Sequence, residues 1–191
     1  GDADPWEEVR VGAPIRVDWQ ISDHCASFTR LYAVYEQFVC DLVTRYLELL
    51  PVLFKTYADL PLPVRAQHRV ATGQILNRWS EDGPYKALTE LSIVKGLADG
   101  LSGVAPYSLL PHAFLIDPQN YRADTIRRIL GYLGIADCWQ AVKRFGPMAK
   151  FIQEERDSTE TAETILHDIV EYRNSASHST VLEIVSVEEI I

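Results

Sequence analysis

The chain has 191 residues, of which 47% are hydrophobic and 24% charged, and it carries a net charge of −9. That length makes one domain with apolar material for a substantial core, and the acidic balance argues against a protein that coats nucleic acid through a broad basic surface. No apolar run reaches the roughly 18 residues of a membrane span, and the first residues lack the positive-then-apolar layout of a signal peptide. The three widely spaced cysteines, Cys25, Cys40 and Cys138, form neither a CxxC pair nor a disulfide framework, which predicts buried thiols in a reducing cytoplasm.

Residues 1–21, punctuated by Pro5, Gly12 and Pro14, read as an irregular N-terminal arm anchored by Trp6 and Trp19. A long helix is expected from a cap at Ser22 or Asp23, with Phe28, Leu31, Tyr32, Tyr35, Phe38, Val39, Leu42, Val43, Tyr46, Leu47 and Leu50 at helical spacing, until Pro51 ends or kinks it. Glu36 lies beside that stripe. After the Leu60–Pro63 break, Val64–Trp79 reads as a second helix and Tyr85–Ala98 as a third. Gly96, Gly100 and Gly103 then read as a loop, since no phosphate-binding fingerprint surrounds them. Residues 104–120 are expected to be mostly loop, with His112 at the surface or capping a turn.

Asn120–Leu133 reads as a helix ended by Gly134, with Ile126, Ile129, Leu130 and Leu133 on one face and Arg122, Arg127 and Arg128 partly opposite. Cys138–Phe145 is a short helix carrying Lys143 and Arg144, stopped by Gly146-Pro147. Asp157 and Glu160 make a capping pair for the next helix, whose stripe is Ala162, Ile165, Leu166, Ile169 and Val170. Ser186 and Glu189 make a second such pair, announcing a final helix that the sequence cuts short. Charge is uneven along the chain: residues 121–151 carry a local +4 and residues 152–191 a local −8. The fold class is therefore all-α, an irregular arm over 1–21 and one helical domain over 22–191.

The five histidines form no HExxH or ExxH pair for a metal, and no GxSxG elbow marks a nucleophilic serine. What remains is Arg173-Asn174-Ser175-Ala176-Ser177-His178, where small residues leave the backbone free to turn tightly and bring two side chains to one pocket. Arginine is a permanent cation with a planar donor fork, and histidine exchanges a proton near neutral pH. Together they suit a phosphodiester: histidine moves the protons of the attacking 2′-hydroxyl and the leaving 5′-oxygen, arginine holds the charge on the non-bridging oxygens, and Asn174 donates to phosphate or bonds the backbone. One histidine does not serve easily as both base and acid, so a symmetric second copy or a water would supply the other role. The bland alternative is a cation favoured in a helix's last turn and a histidine in a loop.

The motif, read as an arginine followed by a polar residue and then a histidine, resembles that of the HEPN superfamily of helical bundles found in bacterial toxin–antitoxin and defence systems. Two other stretches are similar to a bacterial HEPN subgroup: Leu31–Phe38, with its aromatic–Glu pair, and Asn120-Tyr121-Arg122 through Leu130-Gly131-Tyr132-Leu133-Gly134-Ile135. The resemblance implies a bundle of about four core helices with shorter ones, and a metal-independent endoribonuclease without cofactor, acting as a toxin or phage-defence effector. It implies a homodimer sharing one active-site cleft, an antitoxin or larger assembly as partner, and no membrane. Carried over by position, Arg173 would stabilise the scissile phosphate, His178 would be the acid/base, and Asn174 and Glu36 would support them. RNA would lean on Arg122, Arg127, Arg128, Lys143 and Arg144. The same superfamily holds members that have lost catalysis and serve as interaction modules.

Overall fold

The computed structural model describes residues 16–103, 105–116, 120–155 and 160–178. The described residues form seven α-helices, joined by turns and two short 3-10 segments, and no strand. The first helix, α1, runs from Arg16 to Leu53. It begins six residues before the expected cap, so the arm predicted as irregular over 1–21 is helical from residue 16 onward; Pro14 is the last breaker before it. Its buried side is narrower than the spacing suggests. Phe28, Tyr32, Val39, Val43, Leu47 and Leu50 are buried, whereas Leu31, Phe38 and Leu42 from the same expected stripe are exposed. The helix ends two residues after Pro51, with the Phe54 N–H donating to the Leu50 carbonyl at 2.8 Å.

Helix α2 spans Leu62–Arg78, entered through Pro61 with Pro63 in its first turn, where a missing N–H costs nothing. Its buried face is Val64, His68, Thr72 and Ile75, so two of its four core positions are polar. His68 satisfies itself there. Its Nε2 accepts from the Leu110 N–H at 3.1 Å, which leaves the proton on Nδ1, 3.0 Å from the Tyr57 hydroxyl. Burial lowers its pKa to about 4, so the ring is neutral at physiological pH.

Helix α3, Glu90–Ser102, starts five residues later than the sequence spacing predicts, because Thr89 and Ser92 close a reciprocal capping box. It corrects the reading of the glycines as a loop: Gly96 and Gly100 are buried inside α3, and only Gly103 lies beyond it, as a left-handed cap with φ of 72°. A β-carbon on Gly100 would fall 2.6 Å from the Tyr57 ring, and one on Gly96 would fall 2.9 Å from the Ser108 carbonyl oxygen. Gly100→Ala is therefore expected to cost about 1–3 kcal/mol by overpacking. Gly73→Ala, on an open face of α2 with no atom within 4 Å of the new carbon, should instead add about 0.5–1 kcal/mol. Urea midpoints of the two variants should move in opposite directions; a shared sign would refute the packing argument.

Helix α4, Ala123–Tyr132, ends as expected at Gly134, with φ of 81°, and the Ile135 N–H donates back to Leu130 at 2.8 Å. Helix α5 is Cys138–Arg144, as expected. Gly146-Pro147 stops it but also opens α6, Gly146–Glu155, a helix that the sequence reading missed. Helix α7 is Ala162–His178. Its cap is Thr161, whose hydroxyl accepts from the Thr164 N–H at 3.2 Å; of the expected pair, Asp157 lies outside the described residues and Glu160 precedes the cap. Trp6, the Ser186–Glu189 pair and the expected final helix also lie outside them.

The main core gathers α1 from Val39 onward, α2, α3, α4, residues 107–116 and Tyr121 around Leu47, Val64, Ile93, Phe114 and Ile129. A smaller cluster of Tyr32, Leu166 and Val170 joins the first half of α1 to α7. The Phe28–Tyr172 ring contact and the Glu36–Arg173 ion pair both join the C-terminal part of α7 to the first half of α1. Beside this seam α1, α4, α5, α6 and α7 line an apolar pocket of about 420 Å³ that includes Phe38, Leu42, Trp139, Phe151, Ile165 and Ile169.

Candidate active site around Arg173

Arg173 lies on α7 above the smaller core cluster, with its side chain 26% exposed. Helical side chains lean toward the helix N-terminus, which brings the guanidinium back over α1. Three groups from that neighbourhood hold it. The Tyr32 ring lies under the guanidinium, with 4.5 Å from its carbon to the ring centroid. Its Nη1 donates to Asn174 Oδ1 at 3.0 Å, and its Nη2 stands 3.8 Å from Glu36 Oε1. The spacing of Tyr32 and Glu36, four residues apart on α1, puts both on one side of that helix.

Glu36 is an ion-pair partner without a hydrogen bond: its Oε1 is buried and accepts from no donor among the described residues. Burial raises its pKa, and Arg173 opposes that rise only in part. The charged carboxylate is thus less comfortable in the fold than in the unfolded chain, so stability falls as pH rises from the ordinary carboxylate range through the raised pKa. Glu36→Gln removes that penalty. Its melting temperature relative to the unchanged chain is expected to climb as pH is raised from 4 to 7, and a gap independent of pH would contradict the burial argument.

The same tyrosine ties in a third segment. The Tyr32 hydroxyl accepts the Tyr121 N–H at 3.0 Å, and the Tyr35 hydroxyl donates to the Tyr121 carbonyl at 3.0 Å. The Tyr121 hydroxyl lies 3.3 Å from Cys40 Sγ. Residue 121 is therefore clamped from both sides of its peptide, which fixes Arg122 beside it. Arg122 Nη2 pairs with Glu171 at 2.9 Å, and its Nε donates to Asn120 Oδ1 at 3.0 Å. Tyr32, Tyr35 and Tyr121 were not among the sequence candidates, although Tyr32 stands one helical turn before Glu36.

The other expected residues are placed as follows. Asn174 does not bond the backbone of a loop; its side-chain oxygen serves Arg173. The expected tight turn after Arg173 is absent, because α7 continues through Asn174–Ser177 to His178. Neither glycine nor proline interrupts that stretch, so nothing in it forces the helix to stop. His178 ends the described helix, five residues from Arg173, which is about 7.5 Å along the axis and about 140° around it; its side chain lies outside the described residues. The basic block does not form one track. Arg122 joins Arg173, whereas Arg127 pairs with Asp124 and with Glu163 at the other end of α7. Lys143 borders a pocket with Trp139, Gln153 and Glu163. Arg128 and Arg144 are exposed, with no ion pair among the described residues. The acidity around the motif is accordingly offset in part, since Glu171 and Glu163 both face arginines of α4.

Over its described residues the chain is all-helical, with a half-buried arginine, a polar residue after it and a histidine at the last described position of the same helix. The model of the MAE_28990-like HEPN family matches residues 16–191, and the chain belongs to that family within the HEPN superfamily. No curated protein and no solved structure matched the chain. Among the described residues no helix is long and apolar enough to cross a membrane.

Proposed function

We propose that the chain is a metal-independent endoribonuclease of the HEPN type, a toxin or phage-defence effector working in the reducing cytoplasm. The observation that carries this reading is the mounting of Arg173. A guanidinium laid on an aromatic ring and steered by a carboxylate and an amide is pre-organised for the charge that builds on a phosphate during transfer. In the reaction the RNA 2′-oxygen attacks the adjacent phosphorus, the bond to the 5′-oxygen breaks, and a 2′,3′-cyclic phosphate and a 5′-hydroxyl form. His178 exchanges the protons, Arg173 holds the non-bridging oxygens, Asn174 and Glu36 orient Arg173, and Arg122 offers a second cation nearby. A second copy supplies the opposing acid or base. The exposed apolar residues Leu31, Val34, Phe38 and Leu42, which flank Glu36 along α1, are the surface through which two copies would meet. An antitoxin or a larger assembly restrains the activity.

The unbroken helix between Arg173 and His178 favours one rival: a HEPN module without catalysis, in which Arg173 serves only to join α7 to α1. The purified chain incubated with tRNA, rRNA and mRNA in EDTA separates the two. Fragments ending in 2′,3′-cyclic phosphate support the nuclease; intact RNA in all three samples supports the module.

A further inference from the structure

At the other end of α1 from Arg173, a pocket of about 240 Å³ opens between the start of α2 and the end of α3. Tyr57, Leu62, Arg65, Arg69, Gly100 and Leu101 line it. Arg65 and Arg69 stand one helical turn apart, so both guanidinium stems leave α2 on one side. Neither has an ion-pair partner among the described residues, in a chain whose net charge is −9. The Arg65 Nε is moreover buried and donates to nothing there. A buried donor on a charged group left without an acceptor is costly, and a bound anion removes that cost. The Tyr57 hydroxyl is already engaged with His68 and the Arg65 carbonyl, and its ring closes the pocket where Gly100 leaves room for it. The rim is apolar: Leu62 is 69% exposed and Leu101 57%.

We propose that Arg65 and Arg69 form a phosphate-binding site, separate from Arg173, that takes a nucleotide phosphate with its carrier lying against Leu62 and Leu101. Two planar forks match the oxygens of one phosphate, and Arg is suited to that bidentate contact where Lys is not. The volume accommodates a phosphate and a ring-sized group rather than a folded chain. The stretch of α1 from Glu36 to Leu53 separates the two sites by about 25 Å of helix at 1.5 Å per residue. The assignment does not depend on the nuclease reading, because none of its groups belongs to the Arg173 site.

A free nucleotide and a nucleotide within an RNA strand present the same phosphate, and calorimetry on the full chain tells them apart. The probes are inorganic phosphate, 5′-AMP and a 5′-phosphorylated tetranucleotide with 2′-O-methyl riboses, which cannot be cleaved through the 2′-oxygen. Saturable binding of phosphate and 5′-AMP assigns a free nucleotide; binding of the tetranucleotide alone assigns an RNA strand. Either affinity should weaken about ten-fold or more in Arg69→Gln, an exposed position whose variant retains the fold, and in Arg65→Gln, and should persist in Arg173→Ala. No saturable binding of any probe, or binding unchanged in Arg69→Gln, overturns the proposal.

Discussion

His178→Ala abolishes RNA cleavage while the chain stays folded: this is the largest functional effect expected. A positioned acid or base contributes about 10²–10⁴ in rate, and the motif carries no second histidine. Of the other histidines, His24 is half-buried near the start of α1, His68 is sealed in the main core, His112 is in the 111–113 turn, and His167 is on the outer side of α7. Residue 178 is the last described position of α7, and alanine favours a helix there, so the far-UV spectrum should be unchanged. Single-turnover cleavage of end-labelled tRNA in EDTA, read beside far-UV circular dichroism, gives both quantities. Cleavage at the unchanged rate by His178→Ala would end the nuclease assignment to this motif. Arg173→Lys tests the partner group: a point charge without a planar fork should keep the fold and lose most of the rate.

The largest structural effect is expected at Tyr32. This side chain is 1% exposed and is the centre of the smaller cluster, touching α7 through Leu166 and Val170 and supporting Arg173 on its ring. Tyr32→Ala should cost about 3–5 kcal/mol, the range for deleting a buried aromatic ring. Tyr32→Phe separates the ring from the hydroxyl. It keeps the surface beneath the guanidinium and orphans only the buried Tyr121 N–H, for about 1–3 kcal/mol. Urea unfolding ranks the two variants, and cleavage rates add a second readout: Phe should retain activity, whereas Ala should release Arg173 and lose it. A Tyr32→Ala protein as stable as the unchanged chain would contradict the role given to the cluster.

Much of the bundle was legible because apolar spacing and end signals agree in the middle of the chain. Gly134 ends α4 where a left-handed residue is required, and Cys138–Arg144 is bounded by its neighbours. Two elements misled because a residue known as a breaker was used inside or at the start of a helix, and a third because small polar residues were read as a turn. Gly96 and Gly100 sit in α3 because Ser108 and Tyr57 press against it, a demand made by distant residues. Pro147 opens α6 immediately after α5 ends. Asn174–Ser177 looked like a turn but contains nothing that prevents a helix. Within the site, Arg173 and Glu36 were visible as candidates, whereas the Tyr32–Tyr121 clamp joins residues 89 positions apart and leaves no local trace.

The ion pairs between α4 and α7 give the chain's uneven charge a use. Arg122 meets Glu171 and Arg127 meets Glu163, so the two antiparallel helices are matched at two rungs like the teeth of a key. Exposed pairs of this kind contribute little to stability. They do distinguish one alignment from another. If α7 slid by one turn, about 5.4 Å, both acids would leave their arginines and Arg173 would leave the face of Tyr32. The basic and acidic segments thereby act as a register mark, set in two opposite inks, that tells the last described helix where to stop.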